Sequence, residues 1–229
     1  MDEINKQILK IWEEFGDIFP KEKRRYPLLF PNPKEDSILF IGINPSFSEK
    51  GFNQTLKETK FEKLNIKKFY SYPNESFNIE TSIEIEELAR DKHDYFKKFR
   101  KFKKEVGKEW EHLDLFFFRE KTQKDAEKII EYSKGKMNKF GKSQIELSLK
   151  AIEIINPRLI IVNNALASKI IQGYYKIESK NFEEEGFDRM IIGNKKVPIF
   201  FSSMFTGQRA LDNESYRRLL WQVKKYFKK

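Results

Sequence analysis

A short apolar run, Ile-Leu-Phe-Ile at residues 38–41, breaks directly into Gly42, Asn44, Pro45, Ser46, Ser48 and Gly51, and this junction constrains the fold more than any other stretch. The run is too short for a helix and rich in β-branched side chains, so it reads as a buried strand. The small and polar residues after it turn the chain sharply. In open α/β sheets such a junction lies at the carboxyl ends of the strands, where ligands bind. Three further runs, residues 113–118, 158–162 and 197–201, share its apolar character, and Pro198 argues for an edge position or a strand start. Residues 190–192 read as a short strand turned by Gly193 and Asn194.

Helical spacing fills much of the rest. Ile4, Ile8, Trp12 and Phe15 predict an amphipathic helix over residues 2–15, and Pro20, Pro27, Pro31 and Pro33 then impose an extended lead-in. Residues 83–106 carry one apolar stripe, broken near Asp91, while residues 52–82 show no periodicity and read as a long loop. A polar helix is predicted over residues 123–133. Ser143 and Glu146 form a capping box that starts a helix ended by Asn156 and Pro157. Helices from residue 165 to 171 and from about 212 to 227 complete the pattern, the last capped by Asp212 or Asn213. Strand, helix and strand in this order predict a three-layer α/β/α domain with a four-stranded, mainly parallel sheet over residues 37–229, preceded by an N-terminal helix and Pro-rich lead-in over residues 1–36.

Composition narrows the chemistry. The chain has 229 residues and no cysteine, which excludes a disulfide framework and any Cys-ligated zinc or iron–sulfur cluster. Its two histidines, His93 and His112, argue against a His-rich metal site, so neither metal nor cofactor is expected. The 45 Lys and Arg against 35 Asp and Glu leave a net charge of +10, which favours an anionic partner, nucleic acid being the usual one. No apolar run approaches the roughly 18 residues of a membrane span. A cytoplasmic monomer is the expectation. Dinucleotide, Walker A, zincin and esterase patterns do not occur.

The wording of the first junction is more specific than its pattern. Gly42-Ile43-Asn44-Pro45-Ser46 after the strand resembles the first active-site motif, G-I-N-P-G, of the mismatch-specific uracil and thymine DNA glycosylases, within the uracil-DNA glycosylase superfamily. The resemblance extends in layout from residue 37 to the end and implies the strand order 2-1-3-4. It places Asn44 where the family's Asn positions the attacking water, with Gly42, Ile43, Pro45, Ser46 and Phe47 forming the loop around the base. It also implies that Phe47, Phe52, Tyr70 or Tyr72 supplies a stacking ring. Arg119 and Glu120, after the second strand, fall where the family recognises the base, although an Arg there suits an anion better. Asn163 follows the third strand. Ser203 falls at the position of the family's His or Asn in the second motif, so its hydroxyl would face the departing base. Thr206, Gly207, Gln208 and Arg209 then correspond to the loop that enters the DNA groove. The function implied is removal of a damaged or mismatched pyrimidine from DNA. Two alternatives follow from Ser203 and Arg119: a non-catalytic nucleic-acid-binding member of the fold, or a binding protein or hydrolase for a nucleotide or other phosphorylated ligand.

Overall fold

The computed structural model describes residues 1–180, 182–207 and 210–228. In chain order the helices are α1 (Asp2–Phe15), α2 (Glu49–Thr55), α3 (Ile66–Tyr70), α4 (Ile79–Lys92), α5 (Lys97–Val106), α6 (Gln123–Ile129), α7 (Lys139–Ile155), α8 (Ala165–Tyr174), α9 (Phe182–Glu185) and α10 (Asn213–Phe227). The strands are β1 (Ile38–Gly42), β2 (Trp110–Asp114), β3 (Leu159–Val162), β4 (Ile177–Glu178), β5 (Asp188–Ile192) and β6 (Lys195–Phe201). The α/β class is as the sequence predicts. The chain divides into two compact units: Met1–Pro33, Ile43–Phe96 and Asp114–Ala151 form one, and Lys34–Gly42, Lys97–Leu113 and Ile152–Lys229 the other.

The second unit carries the sheet. It has six strands in the order β2-β1-β3-β6-β5-β4, mixed in direction rather than four and mainly parallel. β1 runs parallel to β3 from Ile38 opposite Leu159 to Ile41 opposite Val162, and β3 runs parallel to β6 from Ile160 opposite Ile199. β6 then turns back on β5 through Gly193, whose φ of 56° suits a residue without Cβ, and β5 pairs antiparallel with β4. Pro198 is therefore not on an edge. It faces Arg189 of β5 and lies one residue before the β3 ladder begins, so its missing N–H costs that ladder nothing. Every residue of β1 is buried, as expected of a strand covered on both faces. Phe40 meets Phe99 and Phe102 of α5 at 5.0 and 5.6 Å and Phe205 at 5.3 Å, and Tyr216 of α10 closes on Phe102 at 6.0 Å. Phe99 and Phe102 of α5 thus point inward, while Lys97, Lys101 and Lys104 are exposed.

The first unit is helical. Ile4, Ile8 and Trp12 of α1 are buried, and Asn5 pins the Pro-rich lead-in by donating to the Phe30 carbonyl at 2.8 Å and accepting from the Phe30 N–H at 2.9 Å. Residues 52–82 are not one long loop: α2, α3 and the start of α4 enclose Phe47, Phe52, Leu56, Ile66, Phe69, Tyr70, Ile85 and Ala89. Short helices held by such a cluster leave little periodicity to read. The second strand also starts and ends earlier than expected. Residues 115–118 are buried but satisfy their backbone elsewhere: Phe116 N–H donates to Ile43, the Leu28 N–H donates to Phe117, and Phe117 N–H donates to the Gln144 side chain at 2.7 Å. α7 begins before the Ser143 capping box, with Asn138 accepting from the Gly141 N–H at 2.9 Å. No helix among the described residues is long and apolar enough to cross a membrane.

Candidate functional site

Within the first unit, the loop after β1 is joined to the segment after residue 115 by a run of hydrogen bonds. Phe116 N–H donates to the Ile43 carbonyl at 3.0 Å and Glu120 N–H to the Pro45 carbonyl at 3.2 Å. Asn44 completes the join. Its amide nitrogen donates to the Glu120 carbonyl at 2.8 Å and to the Pro45 carbonyl at 3.1 Å. The half-buried carboxamide is thereby fixed in orientation, and its Oδ1 is left with no hydrogen-bond partner among the described residues. Ser46 is exposed, Phe47 is buried, and Ser48 caps α2 by accepting from the Gly51 N–H at 3.1 Å. The structure thus brings Ile43, Asn44, Pro45 and Glu120 together through these hydrogen bonds. Gly42 is the buried last residue of β1.

Arg119 has a different role from the one expected. It is only 4% exposed, and its guanidinium is bonded to the Glu86 carboxylate, stacked 4.4 Å from the Tyr70 ring centroid and within 3.3 Å of the Tyr26 carbonyl. Tyr70 also donates to Glu86 at 2.9 Å. A cation held this way serves the core rather than a ligand, because a buried charge demands a matching charge beside it. Burial holds the Tyr70 phenol well above its ordinary range, Glu86 adding to the effect; burial pulls the Arg119 guanidinium down, but Glu86, Tyr70 and Asp114 together raise it. Glu120 is half-buried, and burial lifts its carboxyl, with Asp125 adding and Lys23 and Arg25 opposing.

The aromatic candidates divide likewise. Phe52 and Tyr70 are committed to the core cluster, and Tyr72 lies under the Arg24 guanidinium at 3.8 Å. Phe47 sits beneath Arg25 at 4.6 Å and lines a groove of about 1000 Å³. Arg25, Lys50, Lys57, Lys67 and Lys121 also line it, with Ser46, Ser48, Asn53, Gln54 and one carboxylate, Glu49. Of these residues Ser46, Phe47 and Ser48 belong to the junction after β1. The lysines lie in aperiodic polar stretches, and only folding gathers them.

The other candidates belong to the second unit. Asn163 follows β3, is 1% exposed, donates its N–H to the Ile41 carbonyl at 3.0 Å, and has a buried Oδ1 without a partner among the described residues. Its neighbour Asn164 caps α8 by accepting from Leu166 and Ala167 at 2.8 and 3.0 Å. Ser203 is exposed, and its carbonyl accepts from the Ser202 hydroxyl at 3.2 Å. Thr206 has a buried hydroxyl without a partner among the described residues, and Gly207 takes a φ of 96°. Gln208 and Arg209 lie outside the described residues. Set against family models, curated proteins and solved structures, the chain has no significant match.

Proposed function

We propose that this chain is a uracil-DNA-glycosylase-like protein that acts on DNA, with Asn44 orienting the water that attacks the sugar carbon. The observation that carries the reading is the tethered Asn44 carboxamide: both carbonyls it meets take its N–H donors, so an acceptor oxygen is presented in a fixed direction. Such an oxygen accepts a hydrogen bond from water and aims the lone pair of that water without removing a proton in the ground state. In the reaction the water oxygen bonds to the sugar carbon and loses one proton to solvent, while the glycosidic bond breaks and the base departs with the bonding electrons and takes up a proton. The resemblance implies the order 2-1-3-4, and the run β2-β1-β3-β6 within the six-stranded mixed sheet supports the reading at that level.

Single-turnover base release from oligonucleotides carrying uracil, a G·T mismatch or hypoxanthine tests this. Asn44→Ala should lower release by about 100-fold or more, the range for losing one preorganised polar group at a reacting centre. An Asn44→Ala protein that releases base as fast as the parent refutes the role. A second reading, a nucleic-acid-binding protein without hydrolysis, is favoured by Ser203, whose exposed neutral hydroxyl is a shorter and less directional donor than a His or Asn side chain. Retained DNA binding with no release of any of the three bases would select it.

A further inference from the structure

The groove in the first unit gathers several cations around one concavity. Lys50, Lys57, Lys67 and Lys121 all line it and are exposed, and none has an ion-pair partner among the described residues. Some lysines elsewhere do have a carboxylate beside them: Lys34 meets Glu109 at 3.2 Å, Lys103 meets Glu109 at 2.6 Å, Lys108 meets Asp36 at 3.0 Å and Lys196 meets Glu178 at 2.7 Å. Gathering like charges around one concavity raises the energy of the empty protein, and an anion relieves it. Arg25 adds a guanidinium that spends a donor on the Lys23 carbonyl at 3.2 Å and keeps others in its planar fork.

The lining also says what kind of anion fits. Small-molecule sites are mostly apolar and span about 300–1,000 Å³. This groove matches the upper end of that range, yet among the described residues that line it only Phe47 is apolar. Ser46, Asn53 and Gln54 supply neutral groups of the type that bonds phosphate and sugar oxygens. Spread cations, neutral hydrogen-bonding side chains and one ring match an extended chain of phosphates better than a single phosphate. Ser46, Phe47 and Ser48 follow Asn44 in the same loop, so one loop carries both the tethered carboxamide and part of the groove lining.

We infer that this groove binds the phosphodiester backbone of a nucleic acid, Lys50, Lys57, Lys67 and Lys121 each answering phosphate charge. The inference rests on the nucleic-acid half of the proposed function and not on the chemistry of Asn44. Its test is fluorescence anisotropy of a labelled, undamaged oligonucleotide from 50 to 300 mM KCl (roughly the range over which phosphate contacts are lost). Three proteins are compared: the parent chain, Lys57→Glu/Lys67→Glu, and Lys128→Glu/Lys150→Glu, which makes the same charge change at exposed residues absent from the groove lining. Melting curves confirm that each is folded. The groove variant should bind at least about tenfold more weakly, with a salt slope shallower by about two, while the control keeps its slope.

Equal weakening of both variants means that net charge alone is at work and overturns the inference, as does an unchanged groove variant or a parent that fails to bind. A mononucleotide that competes as well as the oligomer also overturns it, because a free phosphate ligand would then be the occupant. Groove-dependent binding with no base release by the parent leaves this inference standing and removes the glycosylase reading. Base release with groove-independent binding does the reverse.

Discussion

Asp114 is buried at the end of β2, and burial pushes its carboxyl up to about 7, with Glu86 adding and Arg119 and Arg90 opposing. The folded chain therefore holds a proton there across a range in which the unfolded chain has lost it. Between about pH 4 and pH 7 a rise in pH favours the unfolded state by at most about 1.4 kcal/mol per unit from this group, and above pH 7 the effect is complete. Asp114→Asn keeps the neutral shape and removes the titration. Urea denaturation should show a flatter stability profile from pH 4.5 to 7 (roughly the window between the two states' ionisation), with the variant gaining on the parent as pH rises. Identical slopes in the two proteins would show that Asp114 is ionised in the fold. The neighbouring Arg119 illustrates what a local pattern conceals. It follows a run of phenylalanines and reads as a residue leaving a strand edge, yet Glu86, 33 positions away in sequence, draws it inward.

At the scale of elements, the ends of helices show where sequence signals compete. Ser143 and Glu146 satisfy the capping-box pattern, and Gly141 reads as a break before them. Asn138 starts the helix instead, accepting from Gly141 and donating to the Ile129 carbonyl at 2.9 Å, so it fastens α7 to the end of α6. Gly141 is tolerated inside the helix for packing: a Cβ there would stand 2.9 Å from the Met137 sulfur and 3.1 Å from Ile130 Cβ. Asn138→Ala should cost about 1–2 kcal/mol, the range for losing a cap, whereas Ser143→Ala should change stability by less than about 0.5 kcal/mol. Chemical denaturation of the two variants decides between the caps. A larger loss for Ser143→Ala would mean that the helix begins where the capping box places it. α10 behaves more simply, since Asp212 accepts from Ser215 at 2.9 Å at the residue the sequence offers as a cap.

At the scale of the whole molecule, a net charge of +10 makes stability sensitive to anions. Screening should raise the melting temperature with any salt, and sulfate should raise it more than chloride at equal ionic strength, because a divalent anion also occupies clustered cations. Scanning calorimetry in the two salts checks this. Lys57→Glu/Lys67→Glu should lose most of the extra gain from sulfate, and equal gains in both proteins would place the effect on the surface at large.

Much of the scaffold was legible in the chain itself. Residues 38–41 and 159–162 are continuous apolar runs because their strands are buried, and α1 and α10 carry a helical stripe because one face of each meets a core. The Asn44 loop was legible for a related reason: Gly, Asn and Pro announce a turn through their own backbone preferences. Tertiary structure decided the rest. β4 is two residues long and is a strand only because Met190 and Arg189 lie opposite it. Arg119 became a core cation and Lys50, Lys57, Lys67 and Lys121 became one groove because long-range packing chose their neighbours. Charge carries no periodicity, so its sequence positions tell how many cations a chain has, and only the fold tells which of them share a ligand.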